Sequence, residues 1–270
     1  MPNVLLAAPR GYSLNLFDGR VYLFLLAHPD DEVFIVGTMR QLLVKGVDVH
    51  AAWLTSGDFD GKGALREREL GEAMRILGLH RSRVHLMRLP DLGLVRLMDR
   101  AAADVTKLMD RIRPDVVFAD AFEGGHPDHD AVNFLAYEGS YRASLRARLF
   151  EFPLYNGSGP ALTWWWRING FPPGTGQTYY NRLDDDEIDR KYRIMRAYSS
   201  QWMYMTPARM ASPYPKLKRR GEPYRPCPKD RDHSQPPYRG ELNYERWFND
   251  FMKIRFADFR AAVLKTRTFR

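Results

Sequence analysis

The sequence predicts an α/β fold, a mostly parallel sheet with helices on both faces, on three observations. Short continuous apolar runs recur through the first 155 residues, stretches of helical periodicity lie between them, and the alternation stops near residue 155. Strands alternating with helices imply βαβ units, and these pack as a parallel sheet covered on both sides.

The first run, Val21 to Ala27, is apolar at every position and rich in β-forming residues, the pattern of a strand buried on both faces. Similar runs occur at Val47 to Leu54, Val84 to Leu89, Asp115 to Ala121 and Leu149 to Leu154. From Leu97 to Arg113, Met98, Ala101/Ala102, Val105, Leu108/Met109 and Ile112 recur at three-to-four spacing, and Pro114 ends the helix. Leu65 to Leu77 repeats that pattern, with Gly78 as its stop. Beyond residue 155, Trp164-Trp165-Trp166, Phe171-Pro172-Pro173-Gly174 and the Pro/Arg/Lys-rich stretch Ser212 to Gly240 read as long loops. Two helices are expected there. Asp184 to Ala197 opens on four acids and carries its cations later, as the helix dipole favours, and Tyr244 to Leu264 keeps Trp247, Phe251, Ile254 and Phe259 roughly in phase. The expectation is one Rossmann-like domain over 1–270, with its core at about 20–155 and an irregular C-terminal extension, 156–270, completing the substrate site.

Lys and Arg number 41 against 33 Asp and Glu, so the net charge is 41 − 33 = +8. Such a surface favours anionic ligands. No basic tract carries aromatics in a stacking pattern, so no nucleic-acid partner is expected. The single cysteine, Cys227, forms no internal disulfide, which suits a reducing cytoplasm. The opening Val4-Leu5-Leu6-Ala7-Ala8 has no basic region before it and Val21 to Ala27 is far too short for a bilayer, so the expectation is a cytoplasmic chain with no membrane span. Whether it forms a homo-oligomer is left open.

Two clusters carry chemistry. His28-Pro29-Asp30-Asp31-Glu32 directly follows the first strand, and Gly124-Gly125-His126-Pro127-Asp128-His129-Asp130 follows the strand Asp115 to Ala121 and opens a helix. Both lie at strand carboxyl ends, where open α/β sheets place their crevices. Each alone has a bland explanation: Pro and acids suit a helix start, and two histidines three apart suit a polar loop. Set on neighbouring strands they offer enough His and Asp for one zinc with a coordination position to spare. The remaining histidines, His50, His80, His85 and His233, lack such company and are expected to be structural.

The pair Ala27-His28-Pro29-Asp30-Asp31-Glu32 and His126-Pro127-Asp128-His129 resembles the signature of the LmbE/PIG-L family of zinc-dependent N-acetylglucosaminyl deacetylases. Thr55-Ser56-Gly57-Asp58 resembles its T-x-G-acid turn, and Arg66, Glu69, Ala73 and Leu77-Gly78 resemble its next helix. By this resemblance His28, Asp31 and His129 hold one Zn2+ per chain, or another divalent metal. Asp30 is then the general base, His126 the electrophilic partner, and Asp128 orients His126 and helps keep it protonated. Glu32 is a helix-opening or supporting acid. Arg66 and Asp91 contact a sugar hydroxyl or the amide substituent, although Arg66 and Glu69 could equally form an ordinary surface ion pair. Gly124 stands where some relatives have a Tyr. Ser199-Ser200-Gln201 resembles a late Ser-Gln pair of the family at the lip of the site, and Trp164 to Trp166 are read as core or a subunit contact more than a sugar platform. The implied activity is metal-dependent hydrolysis of a linear amide, releasing acetate from an N-acetylated amino sugar or its conjugate. A metal-dependent hydratase of an unsaturated dicarboxylate on the same scaffold, and a non-catalytic metal-binding homologue, are the alternatives.

Overall fold

The computed structural model describes residues 16–158, 167–246 and 253–268. Five parallel strands form the body of one sheet: β1 (Val21–Leu26), β2 (Asp48–Thr55), β3 (Val84–Leu89), β4 (Val116–Asp120) and β5 (Arg148–Phe152). Between them run α1 (Val36–Val44), α2 (Gly63–Leu77), α3 (Met98–Ile112) and α4 (Pro127–Arg142). The α/β prediction and the five strands hold to within a residue or two. The central strand shows why: Tyr22, Phe24 and Leu26 enter one core, shared with α1 and α2, while Leu23 and Leu25 enter the other, shared with α3 and α4. Only a strand covered on both faces needs apolar residues at every position.

Gly78 closes α2 with φ 87°, and its N–H donates to the Met74 carbonyl, the left-handed cap expected of it. Arg113 ends α3 immediately before Pro114.

The region beyond 155 is more regular than its composition suggests. It contains β6 (Tyr179–Asn181), α5 (Asp185–Ala197), a 3-10 turn at Ser199–Gln201, α6 (Trp202–Ala211), α7 (Tyr214–Arg220) and β7 (Glu222–Pro226), followed by α8 (Asn243–Arg246) and α9 (Phe256–Thr268). The stretch Ser212 to Gly240, expected as loop, therefore holds a helix and a strand. β7 runs antiparallel to β5 and β6 antiparallel to β7, giving the order β3-β2-β1-β4-β5-β7-β6. Pro223 and Pro226 obscured β7, which pairs through few bonds beside a very short edge strand, where proline is tolerated. The single helix expected from Tyr244 to Leu264 is also corrected: residues 253–255 are not helical, and α9 begins at Phe256. Trp164–Trp166, Trp247 and Phe251 lie outside the described residues.

α5 is opened by a capping box in which Asp184 Oδ1 accepts from the Glu187 amide at 2.8 Å and Glu187 Oε2 accepts from the Asp184 amide at 2.7 Å. Its buried Lys191 is the main tie between the two halves of the chain. Lys191 Nζ donates to the Val33 carbonyl and pairs with Glu222 Oε1 at 2.8 Å. Glu222 in turn accepts from the Gly37 and Thr38 amides at 2.9 and 2.7 Å and from Thr38 Oγ1. A carboxylate thus occupies the amino end of α1, satisfying amides that have no partner within the helix. Replacing Lys191 by Met leaves Glu222 charged and short of its cation; a loss of roughly 3–5 kcal/mol is expected, read as a lowered urea midpoint. An unchanged midpoint contradicts the clamp.

Candidate metal centre

The strand order reverses between β1 and β4, since β1 continues to β2 on one side and β4 to β5 on the other. Crevices in open α/β sheets form at such a reversal. The two sequence clusters follow these two strands. Asp120, at the end of β4, accepts the Ala27 amide at 2.8 Å and so fixes the end of β1 just before His28.

After Pro29 the chain turns through Asp30, which holds φ 116°, a conformation that costs a non-glycine residue about 1–3 kcal/mol. Three contacts hold it there. The Asp30 amide donates to Glu32 Oε2 at 3.1 Å, Arg66 donates to the Pro29 carbonyl, and Arg66 pairs with Asp30 Oδ1 at 3.0 Å. Glu32 is fully buried and also accepts from Trp53 Nε1 at 3.1 Å and from the Tyr198 hydroxyl. Its supporting role is thus defined by partners: it shapes the turn from beneath.

The second loop is braced by acids of its own. Asp130 Oδ1 accepts the Glu123 and Gly124 amides, each at 3.0 Å, and Glu123 accepts the Leu154 and Tyr155 amides at 2.7 and 2.9 Å. Asn243 from α8 donates to the Gly125 carbonyl at 3.1 Å. His126 then caps α4, with Pro127 at its first position.

Together these turns converge the predicted ligands. His28 Nδ1 lies 3.3 Å from His129 Nε2 and 3.4 Å from Asp31 Oδ2, and His129 Nε2 lies 3.3 Å from Asp31 Oδ1. Ligands held tetrahedrally at zinc's bond lengths stand about 3.3–3.4 Å apart, so spacing and chemistry both fit a divalent cation. His126 completes a second close grouping with His28 and His129. The ring centroids of His28 and His126 are 4.6 Å apart.

The acids divide by environment. Asp31 is buried, but His129 and His28 outweigh burial and hold it far below the usual carboxylate range. Burial pushes Asp30 up to about 8 against the pull of Arg66, and pushes Glu32 up to about 7 against the hydrogen bond from Tyr198. Burial pulls His28 down, yet Asp91 and Asp31 hold it well above its ordinary value. Burial, then the neighbouring His28 and His129, put His126 well below its own.

Two expectations change. The Asp128 carboxylate does not meet the His126 ring: it accepts the Leu92 and Leu94 amides at 2.8 and 3.1 Å and approaches His28 Nε2 at 3.4 Å. What orients His126 is the Asp128 amide, which donates to Nδ1 at 3.1 Å. A ring that accepts at Nδ1 is neutral and carries its proton on Nε2, so Asp128 does not keep His126 protonated. The Arg66–Glu69 ion pair is likewise replaced, since Arg66 turns to Asp30 while Glu69 accepts from Ser199 Oγ, Ser200 Oγ and the Ser200 amide. Those bonds bring the Ser199–Gln201 turn against α2. Asp91 lies 3.1 Å from His28 Nε2 and 3.9 Å from Arg66, on the side of the His28 ring away from His129 and Asp31.

Sequence reasoning missed Asp120, Glu123, Trp53, Tyr155 and Tyr198. Asp120 left a signal, an acid closing a buried apolar run. The ring of Tyr155 stands 5.4 Å from that of His129, and nothing local in the sequence announces this. Of the histidines set aside, His50 pairs with His85 at 2.9 Å at the opposite end of the sheet, and buried His233 meets Asn133 at 3.0 Å.

Gly125 is required by contact. A Cβ there would stand 1.9 Å from the Tyr155 carbonyl oxygen, so any side chain moves the backbone that leads into His126. Gly125→Ala is expected to weaken zinc binding at least about tenfold in a chelator competition. Gly71→Ala, on α2 where an added Cβ meets nothing within 4 Å, is expected to leave binding unchanged and raise stability by up to about 1 kcal/mol. Equal zinc affinity in the two variants contradicts the assigned contact.

Residues 23–139 match the family model described as PIG-L, GlcNAc-PI de-N-acetylase. A curated relative, the probable N-acetylglucosaminyl-phosphatidylinositol de-N-acetylase of Schizosaccharomyces pombe, is 31% identical over 128 residues, which cover 44% of this chain. The match spans 50% of that relative's length. Among solved structures, the conserved protein TT1542 from Thermus thermophilus superposes with a TM-score of 0.58 at 27% identity, over 78% of this chain and 99% of its own. The N,N'-diacetylchitobiose deacetylase from Pyrococcus horikoshii does so with 0.57 at 22% identity, over 78% of this chain and 85% of its own. Residues 23–139, which hold both motif loops at the reversal of the sheet, are thus the part of the chain that is similar to the PIG-L family model.

Proposed function

We propose that this protein is a zinc-dependent hydrolase that removes the acetyl group from an N-acetylated amino sugar or its conjugate. The observation that carries the reading is the approach of His28 Nδ1 and His129 Nε2 to each other at 3.3 Å and to the two oxygens of Asp31 at 3.4 and 3.3 Å, with Asp30 next in the chain on a strained turn. His28, Asp31 and His129 would hold the ion. Once bound, zinc acidifies a water molecule and polarises the amide carbonyl.

The rest falls to side chains. Asp30, which a neighbouring cation would favour in its ionised form, would take the proton of the attacking water on its carboxylate; Arg66 holds that carboxylate in place. His126, neutral with its proton on Nε2, donates a hydrogen bond toward the carbonyl oxygen as charge develops there. The amine leaves with a proton delivered by Asp30 or His126, and acetate is the other product. Asp128 positions His28 and, through its amide, His126. Arg66 and Asp91 are mutually close and tied to Asp30 and His28, which suits them to arranging the reacting groups as well as meeting a sugar hydroxyl.

The deciding assay measures acetate release from a panel of N-acetylhexosamines and their conjugates, beside loss of absorbance from an unsaturated dicarboxylate. Acetate release without hydration is expected; the reverse favours the hydratase. Chelation is expected to abolish turnover and about one equivalent of zinc to restore it. Asp30→Asn is expected to retain the metal and lower turnover by about 10²–10⁴-fold. Full activity in that variant removes Asp30 as the base.

A further inference from the structure

Outside the metal centre, one face of α6 exposes several large apolar side chains among the described residues. Trp202, Met203 and Met210 are 66%, 67% and 75% exposed, while Met205 and Ala208 on the same helix are buried. At about 100° per residue, Trp202, Met203, Thr206 and Met210 share a single arc, opposite the buried pair. Large apolar side chains gathered on an outward arc mark a surface made to contact something.

Charge specifies what that is. From Arg190 to Gly221 the sequence carries nine Lys or Arg and no Asp or Glu; Lys191 is buried against Glu222 and Arg190 and Arg193 pair with Asp186 and Asp189, while Arg196, Arg209, Lys218, Arg219 and Arg220 are exposed. Arg209 on α6 is exposed, and so are Lys218, Arg219 and Arg220 on α7, which follows one turn later; Lys218 shares its charge with Asp185. An isologous contact between two copies would set this cationic stretch against itself, which is costly. An anionic lipid surface complements it, taking Trp and Met side chains at the headgroup boundary and phosphates at the flanking cations.

The face is also beside the metal centre. Ser199 and Ser200, directly before α6, are bonded to Glu69 on α2, one turn from Arg66. Tyr198, directly before Ser199, reaches Glu32, whose carboxylate also accepts from the Asp30 amide and Trp53.

We propose that the exposed face of α6, flanked by the cations of α7, docks this protein on anionic phospholipid bilayers. Among the described residues no helix is long and apolar enough to cross a membrane, so the contact is peripheral. It does not depend on which reaction the metal centre performs.

The test is co-sedimentation of the full chain with vesicles of phosphatidylcholine alone and of phosphatidylcholine with about one quarter phosphatidylglycerol. Binding to the anionic vesicles is expected, weak on the neutral ones and reduced by added salt. The variant W202S/M203S/M210S changes only exposed positions and is expected to keep its circular dichroism and melting temperature. Its partitioning onto the anionic vesicles is expected to fall about tenfold or more. Failure of the wild type to bind, or equal binding by the variant, overturns the proposal. So does a wild-type dimer that becomes monomeric in the variant, which would make the face a contact between copies.

Discussion

Burial of carboxyl groups governs this structure. Asp30, Asp31, Glu32, Asp120, Glu123, Asp128 and Asp130 are all buried where β1 and β4 end. An ionised carboxylate withdrawn from water is unfavourable by several kcal/mol unless donors or cations surround it. The chain answers in three ways. Backbone amides serve Asp120, Glu123, Asp128 and Asp130; Arg66 serves Asp30; and the imidazoles of His28 and His129 serve Asp31. The answer is incomplete, because burial still holds Asp30 and Glu32 above the usual carboxylate range. A divalent cation held among His28, Asp31 and His129 would add the positive charge that the cluster lacks, so folding and metal binding would draw on the same electrostatic demand.

This also explains which parts of the molecule were legible in the sequence. β1 to β5, α2 and α3 announce themselves because a doubly covered parallel sheet demands uninterrupted apolar runs and periodic helices, whereas α4 and α5 are legible from the residues that open them. The ligand residues are legible because they are local: His28 and Asp31 lie within one turn, His126 and His129 within another. What local reading cannot supply is the direction of a side chain. The family resemblance pairs Asp128 with His126, but the helix start turns its carboxylate toward Leu92, Leu94 and His28 and offers only its amide to His126. Arg66 and Glu69 have the spacing of an ion pair, yet they meet different partners. In the extension, β7 is hidden by its prolines and α7 by its cations, because an edge strand and an outer helix need little apolar content to form.

The second half of the chain is nevertheless structural support for the first. Tyr198 meets Glu32, Ser199 and Ser200 meet Glu69, Asn243 braces Gly125, and Arg225 and Arg231 both pair with buried Glu151 on β5, at 2.6 and 2.7 Å. Such ties fix the spacing of ligands whose identity was decided a hundred residues earlier.

The clamp of Lys191 and Glu222 carries this into time. As the chain leaves the ribosome, every ligand candidate has been made once α4 is complete, but the carboxylate that seats the amino end of α1 and the ammonium that holds Val33 arrive later. During synthesis the histidines and acids are therefore present before their spacing is set. The spacing that a bound ion would meet thus depends on residues made after all of its candidate ligands.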